Sequence, residues 1–281
     1  MKKAIVFACV YLIVAFSFNK TVSADESGPL YSNVRIETYI SDLYKQIDFS
    51  QCGCLSFEVF DKAYRGYLNL RNAGKLNADK EIISVCDFNL SSTENRLWII
   101  DLAHKKVLFN TFVAHGQGSG EEFARSFSNK DNSHQSSLGF YVTGDTYEGE
   151  HGTSLHLSGM DQGFNDAAYD RSIVVHGADY VCNKFVSANQ RLGRSWGCPA
   201  VPSKLSLPII NTIKEGTCLF IFYPESKYLK TSYWLNKKVA LPENSAFASI
   251  AKPDASKPKT KIIEYISNGK VDSVKTISVA Q

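Results

Sequence analysis

The chain has 281 residues, 44% hydrophobic and 21% charged. That balance is globular and excludes a fully disordered chain, a collagen and a polytopic membrane protein. The 31 Lys+Arg against 28 Asp+Glu give a net charge of +3. Lys2, Lys3 and Lys20 lie in an acid-free stretch, residues 1–24, so the remainder is close to neutral and lacks the basic footprint of a nucleic-acid binder.

Residues 1–24 read as a secretory signal peptide. Lys2 and Lys3 form the basic start, and the apolar run Ala4–Phe18 is short for a membrane span. Val22-Ser23-Ala24 is a small-residue cleavage pattern that places the cut before Asp25. An uncleaved anchor is the alternative. The expectation is an exported protein of the periplasm or cell envelope, touching the membrane only through this segment. Cys52, Cys54, Cys86, Cys182, Cys198 and Cys218 remain after cleavage. Their even number is compatible with disulfides in an exported chain, but they are scattered and lack zinc-site spacing. Cys218, in an apolar run, reads as a buried small hydrophobe.

Residues 25–92 read as a helical N-terminal segment. Ile36, Tyr39, Ile40, Leu43, Tyr44 and Ile47 recur at helical spacing over 33–48. A second helix follows Ser56 as N-cap, with Phe57, Phe60, Ala63, Tyr64, Tyr67 and Leu68 on one face and Asn72-Ala73-Gly74 as its stop. Residues 93–224 change period. β-rich runs at 96–101 and 106–113 suggest a hairpin, a Gly/Ser/Asn-rich loop fills 115–137, and further strands are expected at 139–143, 155–157, 172–176 and 218–223. Short helices are expected at 181–192 and 207–214, the latter with Ser206 as cap, Pro208 in its first turn and Gly216 past its end. The fold class is mainly β, a β-sandwich or barrel core with short helices, preceded by the small helical segment. Residues 225–281 read as an appendage: a Lys/Ser/Pro linker at 251–259, then a hairpin turning at Asn268-Gly269.

The chemistry lies between 174 and 199. A β-branched run delivers His176 at a strand end, and Cys198 follows the Gly-bearing turn Ser195-Trp196-Gly197. A thiol and an imidazole are the minimum for nucleophilic acyl transfer. On spacing alone, a buried structural cysteine is the stronger reading.

Val175-His176-Gly177 followed by Ser195-Trp196-Gly197-Cys198 resembles the signature of the YkuD-type murein L,D-transpeptidases: His-Gly, then Ser/Thr-His-Gly-Cys, a hydrophobic residue and Asn or Arg. Ser136–Tyr141 resembles their Thr-Pro-x-Gly-x-Phe strand start, and the likeness extends over roughly 55–225. Trp196 stands where the second His would be, Ala200 replaces the terminal Asn or Arg, and the spacer is a few residues longer. The resemblance implies an L,D-transpeptidase-like fold and a cysteine acyltransferase acting on peptidoglycan stem peptides. Cys198 would be the nucleophile and His176 the base and later acid. The N–H groups of Gly197 and Cys198 would form the oxyanion hole, and D-Ala would leave before a diamino-acid amine takes the acyl group. Water as acceptor would make an L,D-carboxypeptidase, and a wall-binding domain that keeps the fold without catalysis is a further alternative.

Within the site, Trp196 is a candidate groove wall. Arg194 either pairs with a stem-peptide carboxylate or is a solvated loop arginine. Ser195 either bonds within the turn or takes part in the chemistry, and Gly177 is a substrate-binding candidate. No metal or other cofactor is expected: no H-E-x-x-H spacing occurs, and His115-Gly116-Gln117-Gly118-Ser119-Gly120 lacks the Lys-Ser/Thr of a phosphate-binding loop.

Overall fold

The computed structural model describes residues 29–241, 259–267 and 270–279. The expected signal peptide and most of the expected linker lie outside them. Chain contacts define two units. The unit Asn33–Ala248 carries the sheet. In the other, the hairpin strands Lys259–Ser267 and Lys270–Val279 pair antiparallel, flanking the expected Asn268-Gly269 turn, which is itself outside the described residues.

The N-terminal helices follow the sequence pattern. Helix α1 is Pro29–Gln46 and α2 is Phe57–Asn72. Ser56 caps α2 by accepting the Val59 N–H, and Phe60, Ala63, Tyr64, Tyr67 and Leu68 are buried on its inner face. Phe57 is 41% exposed, one turn too early to reach the core. Gly66 lets α2 lie directly on Phe140, because a Cβ there would overlap the ring.

Eight strands form one sheet: β1 Ile82–Asp87, β2 Leu97–Asp101, β3 Lys106–Thr111, β4 Gly139–Gly149, β5 Gly152–Gly159, β6 Val174–Ala178, β7 Ala200–Pro202 and β8 Cys218–Phe222. Their order is β3-β2-β1-β8-β4-β5-β6-β7. The β1–β8 and β6–β7 pairs are parallel, the others antiparallel. Just past β3, Ala114 and Ala200 exchange backbone hydrogen bonds of 2.8 and 3.3 Å. That bridge ties one edge of the sheet to β7 at the other, so the sheet curls into a near-barrel.

Three sequence expectations are corrected. Strand β1 lies in the middle of the sheet although residues 25–92 read as helical. From Ile83 on, its run Ile83-Ser84-Val85-Cys86-Asp87 is buried on both faces and so shows no alternation. The helix α4 is Ser203–Ile213, starting before Ser206. Pro202 precedes it, Pro208 is inside it, and the Ser206 hydroxyl bonds back to the Ser203 carbonyl instead of capping. The stretch from 225 is also more than an appendage. Helices α5, Ser226–Thr231, and α6, Tyr233–Asn236, join the sheet-bearing unit. Asn69 of α2 donates to the Trp234 and Lys237 carbonyls, while Tyr228 and Ser232 donate to buried Asp161. The short helix α3, Asn183–Asn189, falls where the sequence placed it.

Candidate active site

Strand β6 is buried at every position because it runs between β5 and β7. Val174 and His176 share one face of it by the two-residue period of a strand, and the His176 side of the strand lies opposite Ala200 in register. His176 is only 3% exposed. Its Nδ1 lies 3.0 Å from the Gly177 carbonyl, which makes Nδ1 the protonated nitrogen and leaves the Nε2 lone pair available. The His151 ring, from the β4–β5 turn, stacks on it at 4.4 Å and 21°. Burial first, and then His151, hold the His176 pKa below the usual imidazole value, with the Gly177 carbonyl opposing.

Cys198 sits in the turn leading into β7. Ser195 ties that turn together: its hydroxyl donates to the Cys198 carbonyl at 2.6 Å and accepts the Gly197 N–H at 3.1 Å. Gly197 has φ +130, which a side chain would strain, and a Cβ would also press on the Gln135 carbonyl at 2.9 Å. Its carbonyl accepts the Ser136 hydroxyl at 3.0 Å. The thiol points at the start of β6. Sγ accepts the Val174 N–H at 3.5 Å and donates to the Ser172 carbonyl at 3.6 Å. Among the described residues no hydrogen bond joins Sγ to His176. Burial pushes the thiol pKa up, against the Val174 N–H and the nearby Arg171 charge.

Arg171 was not singled out by sequence reasoning. Its guanidinium gathers the Ser128 and Gln135 carbonyls at 2.9 Å and the Ser137 and Ser133 hydroxyls at 2.6 and 3.2 Å. It thereby pins the 115–137 loop beside the Cys198 turn, and its positive charge acts to lower the thiol pKa. A lone arginine whose partners are loop oxygens far along the chain leaves no sequence signal.

Several candidate roles change. The Gly197 N–H is taken up by Ser195, so it is not free to receive an oxyanion in this geometry; the Cys198 N–H makes no hydrogen bond to another described residue. Ser195 is a turn-holding residue. Arg194 is occupied within the chain, at 2.7 Å from Glu121 and 2.9 Å from the Gly120 carbonyl, so a substrate carboxylate would have to compete with Glu121 for it. Gly177 faces α4: a Cβ there would meet Ser206 Oγ at 2.7 Å, so this glycine makes room for helix packing while its carbonyl orients His176. Trp196 is 72% exposed and stacks on His134 at 4.8 Å, a position open to a ligand.

The other histidines are placed otherwise. His115 is buried, with Arg96 Nη2 at 2.8 Å from Nδ1, and its pKa is pushed down to about 3 by burial and then by Arg96. His156 pairs with Asp145 and stacks on Tyr147. Among the described residues no cluster of three or more His, Cys, Asp or Glu could hold a metal ion, and all six cysteines there are free thiols.

A family model described as the L,D-transpeptidase catalytic domain matches residues 52–222. The chain belongs to this family. The match takes in α2 and β1 as well as the His176 and Cys198 segments, so the L,D-transpeptidase domain begins well before the change of period at 93. Among solved structures, an L,D-transpeptidase from Stackebrandtia nassauensis is 12% identical with a TM-score of 0.32, over 74% of this chain and 98% of its own. One from Mycobacterium smegmatis is 11% identical with a TM-score of 0.31, over 51% and 59%. Mycobacterium tuberculosis L,D-transpeptidase 1 is 12% identical with a TM-score of 0.29, over 51% and 62%. The chain thus spans about six-tenths of the mycobacterial structures it matches. A comparison with curated proteins finds no match.

Proposed function

We propose that the chain is an exported cysteine acyltransferase acting on peptidoglycan stem peptides, an L,D-transpeptidase in activity as well as in family. The observation that carries this reading is the seating of Cys198 Sγ between the Ser172 carbonyl and the N–H of Val174, the first residue of β6, the strand that also bears His176.

Burial raises the thiol pKa and lowers the imidazole pKa, so the resting pair is neutral. Sγ attacks the carbonyl preceding the terminal D-Ala of a stem tetrapeptide while its proton passes to His176 Nε2. The growing negative charge is met by the Cys198 N–H, while Arg171, held on its loop oxygens, favours it through its charge alone; one well-aimed oxyanion donor is worth about 3 kcal/mol of barrier. The imidazolium then protonates the leaving D-Ala amine. A thioester remains on Cys198, and a diamino-acid side-chain amine from a second stem takes the acyl group. The Gly177 carbonyl keeps the imidazole in the required tautomer throughout.

The test is incubation with a defined stem tetrapeptide followed by mass spectrometry. D-Ala loss with cross-linked dimers is expected. D-Ala loss with monomeric tripeptide alone would make the enzyme an L,D-carboxypeptidase. Peptide binding with neither D-Ala loss nor a Cys198 thioester would leave a non-catalytic wall-binding domain. Export is supported by the basic-apolar-small pattern of residues 1–24. N-terminal sequencing of the protein from the cell envelope is expected to begin at Asp25, and an intact Met1 would mean an anchor.

A further inference from the structure

Cys52, Gly53 and Cys54 connect α1 to α2, outside the machinery described above. Cys54 is exposed and Cys52 half-buried, whereas Cys86 and Cys218 are fully enclosed in the sheet and Cys198 belongs to the active site. The segment is anchored on both sides of the thiols. Cys52 N–H donates to the Phe49 carbonyl at 3.1 Å, and Trp98 Nε1 donates to the Gly53 carbonyl at 2.7 Å. The Tyr44 hydroxyl donates to the carbonyl of buried Leu55 at 2.5 Å.

Gly53 is the unexplained residue. Nothing stands within 4 Å of a Cβ placed on it, and its φ is outside the left-handed range that favours glycine. Neither space nor static conformation requires a glycine there. A second conformation would. Two Cα atoms two residues apart are separated by at most about 7 Å, at the upper edge of the 4.4–6.8 Å disulfide window. A bend at the intervening residue closes the gap, and glycine bends at least steric cost.

We propose that Cys52 and Cys54 form a redox-active dithiol, which closes to an intramolecular disulfide by exchange with a low-molecular-weight disulfide. The exposed Cys54 thiolate attacks one sulfur of the reagent, the S–S bond breaks, and one reagent thiolate leaves. The Cys52 thiolate then attacks Cys54 Sγ in the mixed disulfide and expels the second. The protein loses two protons and two electrons, and the reagent disulfide becomes two thiols. Burial and then the neighbouring Cys54 push the Cys52 thiol pKa up, which favours this order of attack. The closed ring is small, so it constrains the α1–α2 connection locally without recruiting any other cysteine.

The full chain can be equilibrated with reduced and oxidised glutathione over a range of ratios, quenched with an alkylating agent and digested with trypsin. Lys45 and Lys62 bound a peptide, residues 46–62, that contains Cys52 and Cys54 and no other cysteine. In oxidising buffer this peptide is expected two hydrogens lighter and free of both glutathione and alkyl groups. Cys52→Ala and Cys54→Ala should each carry a single glutathione instead. Gly53→Val, whose Cβ meets nothing within 4 Å in the folded state, should move the midpoint several-fold toward more oxidising buffer while leaving the melting temperature unchanged. A wild-type peptide carrying two glutathiones, two alkyl groups at every ratio, or a cross-link to another cysteine would overturn the proposal, as would a Gly53→Val midpoint equal to wild type.

Discussion

Two cysteines of this chain occupy opposite environments. Cys198 Sγ meets the polar start of β6, while Cys218 is enclosed between β1 and β4. Cys198→Ala is therefore expected to abolish turnover with no loss of melting temperature. Cys218→Ala should keep turnover and cost about 1 kcal/mol through the small cavity it leaves; urea denaturation and the tetrapeptide assay separate the two. A carbapenem, a strained acyl donor, should add once to the wild-type mass and not to Cys198→Ala. The pH profile follows from the neutral pair. In the proposed mechanism His176 acts as base only when unprotonated, so kcat/KM should fall as pH drops through a value below the usual 6.5. Replacing His151 by Ala removes a like charge and part of the cover over the ring. Both causes lower the His176 pKa, so the acid limb of His151→Ala should move upward. An unmoved acid limb would detach it from His176.

At the scale of elements, the site depends on how three segments hold the Cys198 turn. The Ser136 hydroxyl accepts the Gly116 N–H at 3.0 Å and donates to the Gly197 carbonyl at 3.0 Å. Ser136→Ala leaves the buried Gly116 N–H without its acceptor, which typically costs about 1–3 kcal/mol, and frees the turn. Reduced stability with a lower kcat at little-changed KM is the expected result. Much of this architecture was legible. Helix α2 and its Ser56 cap, the β2–β3 hairpin, and the delivery of His176 by a β-branched run all follow from local period and capping. Strand β1 was not legible, because a short run buried on both faces carries no period to distinguish it. Nor was the start of α4, where Pro208 suggested a first turn but the helix already begins at Ser203, fixed by a 2.6 Å bond to Asp179. Arg171, and the occupation of Arg194 by Glu121, depend on partners brought near only by the closed sheet.

For the whole molecule, buried titratable groups set the response to acid. His115 titrates near 6.5 unfolded and near about 3 folded. Below 6.5 the unfolded chain holds a proton that the folded one refuses, so this residue weakens the fold by about 1.4 kcal/mol per pH unit down to about 3. Asp87, pushed up to about 6 by burial, acts oppositely from about 6 down to about 4: the folded state keeps a proton that the unfolded state has released. The two slopes offset each other in the wild type. In His115→Asn, whose amide oxygen can still accept from Arg96, the His115 slope is gone and no longer offsets that of Asp87. Between pH 6 and 4, urea midpoints should therefore show the variant gaining on the wild type by about 1.4 kcal/mol per unit. Parallel curves would remove His115 from this role.

The central β1–β8 pair has a kinetic consequence. Ile83 lies opposite Cys218, with nearly all of the catalytic domain between them in the chain. Neither β1 nor β4 can complete its hydrogen bonding until β8 has been made and delivered, so the sheet closes late and over a long loop. A chain interrupted before residue 218 presents two open strand edges, the condition under which chains pair with one another instead of with themselves. Refolding should accordingly be slow and strongly concentration-sensitive in yield, because two unsatisfied edges wait for the last strand to arrive.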